Sequence, residues 1–189
     1  RNKKSTGFFI DIGAYDGKTA SNSFFFEKFN NWQGIAFEPS KQQFIKLNKI
    51  RNCVCKNEAI GPVNTKVEFC EVLKGPTMMS GLKNSVYEKS LEIINNENLS
   101  KINTYDVEVL TFEMGVGDIK VIDYLSIDIE GGEEDLIKSI DYSFYDIKVI
   151  SIENNYPNDI NYLEFLSSKG FKFFNCYGHD EIYYNKNHF

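Results

Sequence analysis

The chain has 189 residues, 42% of them hydrophobic and 25% charged, which is enough for a globular unit with a sizeable core. A formal net charge of −6 and a pI near 5.1 argue against a nucleic-acid backbone as the main partner, because such a ligand demands a basic face. No apolar run approaches the ~20 residues that cross a bilayer and no signal peptide is visible; the four cysteines, at 53, 55, 70 and 176, lack the paired spacing of a zinc site and read as reduced thiols of an intracellular protein.

The first element to read is Phe8-Phe9-Ile10-Asp11-Ile12-Gly13-Ala14-Tyr15-Asp16-Gly17. Its apolar run ends in an Asp and then in two glycines four positions apart, as a buried parallel strand does when it turns into a helix. The sequence predicts that strand over 8–12, a helix over 20–30, a strand over 33–38 and a helix over 40–51 with Phe44, Leu47 and Ile50 on one face. A third strand is expected at 54–60 and another extended piece at 66–73. Gly75, Pro76 and Gly81 mark 74–84 as a loop, and 86–98 reads as a short polar helix. A short strand at 106–110 precedes a core strand at 122–129 and a helix at 132–140. A strand at 147–153, a helix at 159–169 and two extended pieces at 171–177 and 181–185 finish the chain. This alternation implies βαβ units: an α/β fold with a mostly parallel sheet and a closing antiparallel pair, in one domain over 1–189. The start at Arg1 rather than Met leads us to expect a longer parent chain.

In such sheets the ligand lies beyond the carboxyl ends of the strands, where the strand order reverses. Asp11 to Gly17, Glu38, Asn57 to Ile60, Asp128 to Glu133 and Glu153 all fall at or just after strand ends, so five ends converge on one crevice. Gly13 and Gly17 give a ligand room to approach the backbone. Glu38 suits a ribose, since a carboxylate pairs its acceptors with the two donors of a diol. The alternative is a helix-start acid favoured by the dipole, with Pro39 opening the next helix.

The first loop departs from the dinucleotide fingerprint G-x-G-x-x-G: Tyr15 stands where a second glycine would be, and Asp16 puts negative charge where phosphates would rest. That charge suits a cationic, phosphate-free ligand. S-adenosylmethionine, with its sulfonium and α-amino group, fits better than NAD, and Asp11 and Asp16 are candidates for its amino-acid end. Asp128-Ile129-Glu130 places two carboxylates on one face of a strand end before Gly131-Gly132. They read as a general base, a metal pair or a contact to the methionine moiety, since unpaired acids at a buried strand end are costly without a partner. Glu133 and Glu134 read as caps of the following helix.

These residues, together with further blocks, carry a resemblance. The chain resembles the FkbM-type S-adenosylmethionine-dependent methyltransferases in Phe9 to Gly17, in Ser21-Asn22-Ser23 and Phe26-Glu27-Lys28, and in Trp32 to Pro39. The likeness resumes at Asn57-Glu58-Ala59-Ile60 and Ser80-Gly81-Leu82, is densest over Ile122 to Glu133, and ends with Ile152-Glu153-Asn154-Asn155 and Asp180-Glu181-Ile182-Tyr183. It implies a Rossmann-like class I methyltransferase sheet with helices on both faces, S-adenosylmethionine as donor and an oxygen acceptor, often a sugar hydroxyl in a glycan or natural product. Residues 61–120 resemble the family least and are where acceptor specificity is expected.

On this reading the cofactor candidates are Asp11, Gly13, Ala14, Tyr15, Asp16, Gly17, Glu38, Pro39, Ser40, Asn57, Glu58, Ala59, Ile60 and Asp128. The catalytic candidates are Asp128, Glu130, Glu153 and His179, and no metal is expected. Glu153, Asn154, Tyr156 and Asp180 are expected to line the acceptor pocket, with Tyr177 as a further stacking face for a sugar ring. Met79, Ser80 and Gly81 are further acceptor-side candidates. Two other function classes remain open on sequence: a catalytically silent module that kept the fold as a binding surface, and a nicotinamide oxidoreductase.

Overall fold

The computed structural model describes residues 6–83 and 101–189; the helix expected at 86–98 lies outside them. In chain order the elements are β1 (Phe8–Ile12), α1 (Phe24–Asn30), β2 (Gln33–Phe37), α2 (Lys41–Ile50), β3 (Val54–Lys56), β4 (Ala59–Ile60) and β5 (Thr65–Val72). A 3-10 turn (Thr77–Met79), β6 (Gly81–Leu82), β7 (Ile102–Leu110), α3 (Phe112–Val116), β8 (Val121–Ile122) and β9 (Tyr124–Ile127) follow. Then come α4 (Glu133–Ser139), β10 (Asp146–Ile147), β11 (Val149–Glu153), α5 (Tyr162–Ser168), β12 (Phe171–Tyr177) and β13 (Asp180–Asn185).

The main sheet has seven strands in the order β12-β13-β11-β9-β1-β2-β3. The five from β11 to β3 are parallel, and β13 lies antiparallel between β11 and β12. From β1 the chain runs outward through β2 and β3, then returns to the other side of β1 with β9 and β11. The strand order therefore reverses between β1 and β9, which is where a crevice opens at the carboxyl ends.

Side-chain alternation divides the sheet into a wholly apolar face and one that mixes apolar with buried polar groups. Ile10, Ile12, Ile35, Phe37, Leu125, Ile127, Ile150 and Ile152 share one core with Phe112 and Val116 of α3, Leu136 and Ile137 of α4, and Leu166 of α5. Burying each of these large apolar side chains contributes ~1.5–3 kcal/mol. On the other face Ala36 packs with Ala14 and with Leu47 of α2, while Phe26 of α1 meets Tyr124 with ring centroids 4.9 Å apart. Helices thus cover both faces. Asp11, Ser126 and Ser151 form a register row on that second face, all three buried.

The structure changes several expected elements. The strand expected at 54–60 breaks at Asn57-Glu58: β3 stays in the main sheet, while β4 pairs with β7 in a second sheet of order β4-β7-β5-β6. The piece expected at 66–73 is β5 of that second sheet, and the short strand at 106–110 extends back to Ile102. Helix α1 starts at Phe24 rather than 20, because Ala20 adopts φ 52° and Ser21 Oγ accepts the Phe24 N–H at 3.1 Å. The strand at 122–129 is interrupted at Asp123, whose carboxylate takes the Phe8 N–H at 2.7 Å and the Lys148 ammonium at 2.6 Å. In the closing hairpin the pairing of β12 with β13 slips between Phe173 and Asn175, leaving Phe174 as the extra residue.

Candidate functional site

Gly13 is where two strand ends meet. Its φ is +85°, and a Cβ there would stand 1.6 Å from the Asp128 carbonyl oxygen, so only glycine lets the loop after β1 close against the end of β9. Gly13 and Ala14 donate their N–H groups to the Phe37 carbonyl at 3.0 and 2.9 Å. Tyr15, at φ 51°, then turns its N–H onto Glu38 Oε2 at 2.8 Å, and Ser40 N–H binds Glu38 Oε1 at 2.7 Å. The Asn57 amide holds the carbonyls of Glu38 and Pro39 at 2.8 and 3.2 Å. Burial pushes the Glu38 carboxyl up to about 7, against the two N–H groups and with added repulsion from Asp11 and Glu71.

A cleft opens in front of this loop. Glu38, Pro39 and Ser40 line one side; Phe37, Ala59, Ile60, Phe69 and Leu82 form an apolar wall; Asp128, Ile129 and Glu130 close the far end. Glu58 also lines it, and its Oε2 is, among the described residues, the one buried side-chain polar atom without a hydrogen-bond partner. A second, smaller hollow lies at residues 19–22, bordered by Asp11, Ala14, Thr19, Ser21, Asn22 and Ser126. Gly13, Tyr15, Met78 and Asp128 line both.

Three carboxylates gather at the ends of β9 and β11: Asp128 lines both hollows, Glu130 the first alone, and Glu153 neither. One oxygen from each of Asp128, Glu130 and Glu153 lies within 4.8 Å of the others, a separation that lets them share a proton or a hard cation. Burial pushes Glu130 up to about 8, with the charges of Asp128 and Glu133 adding to it. Asp128 and Glu153, with carboxylate oxygens within 4.8 Å of each other, are both raised, first by burial and then by neighbouring carboxylates. The β11–β13 register sets Asp180 beside Glu153, and Asn22 donates to Asp180 at 3.3 Å. Glu133 serves the backbone instead, since its carboxylate takes the N–H groups of Ile129 and Gly131 at 3.2 and 2.9 Å and closes the turn before α4.

A family model for the methyltransferase FkbM domain matches residues 11–173. The chain belongs to the methyltransferase FkbM domain family. Its structure is similar to the methyltransferase FkbM from Methylobacillus flagellatus KT at 10% identity and a TM-score of 0.58, covering 95% of this chain and 43% of that one. It is also similar to the N-terminal domain of human METTL16, at 14% identity and a TM-score of 0.46, covering 97% of this chain and 61% of that one. M. capricolum TrmK in complex with S-adenosylhomocysteine aligns at 9% identity and a TM-score of 0.42, covering 96% of this chain and 63% of that one. No curated protein matches this sequence. This chain spans less than two thirds of the length of each of those three chains. Its fold is that of a Rossmann-like class I methyltransferase, and its cofactor is S-adenosylmethionine. Among its described residues no helix is long and apolar enough to cross a membrane.

The residues of the FkbM domain fit that cofactor. Glu38 spends one lone pair of each oxygen on a backbone N–H and keeps the others for a diol. The partnerless Glu58 Oε2 requires a donor, and the apolar wall accepts a flat heterocycle.

Other sequence candidates lie off the two hollows. Asp16 is a correction: its carboxylate is taken by the N–H groups of Lys18 and Thr19 at 2.9 and 2.7 Å and by the Thr19 hydroxyl at 2.7 Å, so it caps its own turn. Gly17 packs against Leu47 and Arg51, and Gly81 pairs with Cys70 in the second sheet. Met79 ends the 3-10 turn, whereas Ser80 reaches the cleft. Asn154 braces the hairpin through Glu181 at 2.8 Å and the His179 carbonyl at 2.8 Å, and its side-chain oxygen accepts the Tyr156 N–H at 3.1 Å. Tyr177 is exposed at the hairpin end.

Asp11 borders the second hollow but is engaged by Ser23 Oγ and by Arg51 Nη1 at 3.5 Å. Burial raises its carboxyl, and Ser23 and Arg51 oppose that rise. Arg51 is the residue the sequence did not reveal. Its buried guanidinium binds Glu27 at 2.6 Å, Ser23 Oγ at 2.9 Å and the Gly17 carbonyl at 3.3 Å, tying α1, α2 and the glycine loop into one block. Glu71 is equally hidden in the sequence: it reaches from the second sheet to the Ser40 hydroxyl at 2.5 Å and anchors the start of α2.

Proposed function

We propose that this FkbM domain transfers a methyl group to a hydroxyl oxygen, with a sugar of a glycan or glycosylated natural product as acceptor. The observation that carries the reading is Asp128, which lines both hollows and has its carboxylate within 4.8 Å of those of Glu130 and Glu153. S-adenosylmethionine supplies an activated methyl on a sulfonium. Glu38 would hold its ribose diol, Glu58 its adenine amino group, and Phe37, Ile60, Phe69 and Leu82 the faces of the base.

An acceptor hydroxyl ionises far above neutral pH, so it must give up its proton as the new C–O bond forms and the C–S bond breaks. A carboxylate in water is a weak base for that step. Burial among other carboxylates raises the proton affinity of Asp128, Glu130 and Glu153 toward neutrality, where a base works best. The proton leaves with the carboxyl cluster, and the methyl ether and S-adenosylhomocysteine remain as products. Positioning provides the rest of the rate.

A panel of mono- and oligosaccharides screened for methyl transfer tests the reading. On an accepted sugar, Asp128→Asn and Glu153→Gln should lower transfer by ~10²-fold or more while S-adenosylhomocysteine affinity stays within a few-fold. Full activity in both variants would move the acceptor side to the region of Met79, Ser80 and Gly81.

A further inference from the structure

The turn Thr77–Met79 joins parts of the cleft that no strand connects. Met78 borders the hollow holding Glu38 and Glu58 and also the hollow at residues 19–22, and it is 41% exposed, so it meets both from the solvent side. The turn is fastened at two points. Behind it, Ser80 Oγ donates to the Thr77 carbonyl at 2.8 Å and accepts the Val72 N–H at 3.0 Å, fixing it to the end of β5. In front, Thr77 Oγ1 and the Tyr15 hydroxyl are hydrogen-bonded at 2.6 Å. Tyr15 is thus used twice: its backbone N–H orients Glu38 and its side chain reaches the turn. The left-handed backbone of Tyr15 lets one residue face both ways.

We infer that Thr77–Met79 is a strap across the bound cofactor, latched by the Tyr15 hydroxyl, with Met78 covering the point where the adenosine half meets the methionine half. This rests on the cleft being the S-adenosylmethionine site. A ligand filling both hollows passes beside Met78, and an unbranched thioether adapts to whatever lies beneath it. With the strap lying over the bound cofactor, its departure requires the Tyr15–Thr77 bond to open. The latch therefore governs departure of the bound ligand more than its approach.

Stopped-flow binding of S-adenosylhomocysteine separates the two rates. Removing one neutral hydrogen bond should raise koff by about 2- to 12-fold in Tyr15→Phe and in Thr77→Val, with kon unchanged. The double variant should release no faster than the faster single one, because both remove the same bond. Thr77→Ser keeps the hydroxyl and should behave as wild type. Met78→Ala should speed release with the latch intact. An unchanged koff in Thr77→Val overturns the strap, as does equal damage from Thr77→Ser or a change carried by kon. Wild-type protein that binds no S-adenosylhomocysteine would instead overturn the reading of the cleft itself.

Discussion

Replacing Glu38 by Gln isolates what one buried carboxylate does for the cofactor. In the structure each oxygen accepts one backbone N–H, from Tyr15 at 2.8 Å and from Ser40 at 2.7 Å, leaving two acceptor positions for a ribose diol. Hydrogen bonds to a charged acceptor are worth ~1.5–3 kcal/mol each. The amide can satisfy only one of the two N–H groups and presents an NH2 to the other, so at least one ribose bond of that strength is lost. At about 1.4 kcal/mol per decade that is at least a tenfold weaker S-adenosylhomocysteine complex. The carboxyl is pushed up to about 7, so the wild type is mostly ionised at pH 8. At pH 6 it is about nine-tenths protonated and loses roughly a decade itself. Calorimetry at pH 6, 7 and 8 should therefore show a gap of tenfold or more at pH 8 that narrows toward pH 6. A variant within twofold of wild type at pH 8, or a gap independent of pH, would refute the ribose assignment.

The buried hub and the acid cluster give two further expectations. Arg51→Met leaves Glu27 and Asp11 without their cation; breaking a buried pair costs ~3–5 kcal/mol, so thermal unfolding should shift down by ~6–20 °C, and a shift under a few degrees would show the hub to be dispensable. In the cofactor-free protein Glu38 and Glu130 are raised to about 7 and about 8, and Asp128 and Glu153 are raised too, so the folded state holds protons that the unfolded chain releases. Their contribution to stability is full below the ordinary carboxylate range and is lost as pH rises through about 7 to 8. Asp16 and Glu27 are lowered and act in the opposite sense, losing their contribution under acid conditions. The melting temperature should therefore peak at mildly acid pH and fall between pH 6 and 9, with a shallower fall in Glu130→Gln; a rise over that interval would refute it.

The parts of this site that depend on strand ends were legible. A buried strand must be apolar and its turn must be glycine-rich, so Gly13, Glu38 and Asp128 announce themselves in the sequence. The second sheet announces itself only in part: extended segments are expected at 66–73 and 106–110, but not their pairing with each other and with β4 and β6. Residues 102–106 of β7 are all solvent-facing or half-buried, without the clean alternation that marks a strand, and β4 and β6 have two residues each. Helix α3, five residues long with Gly115 inside it, falls below any helical period. Arg51 stayed hidden because its partners lie 24 to 40 positions upstream and a lone arginine after a helix looks like a solvated charge. Asp16 shows the opposite failing: its negative charge suggests ligand chemistry, but two N–H groups within its own turn have first claim on it.

An open sheet provides the crevice and also leaves two free edges, each a row of unpaired backbone groups able to recruit another chain. One edge is β3, only three residues long and too short to template a partner. The other is β12, seven residues with six exposed, among them Phe173, Phe174 and Tyr177, and it has the make-up of an aggregation-prone strand. The slip at Phe174 breaks its ladder in the middle and twists the edge away from a flat template. One inserted residue thus works against strand-to-strand polymerisation at this edge.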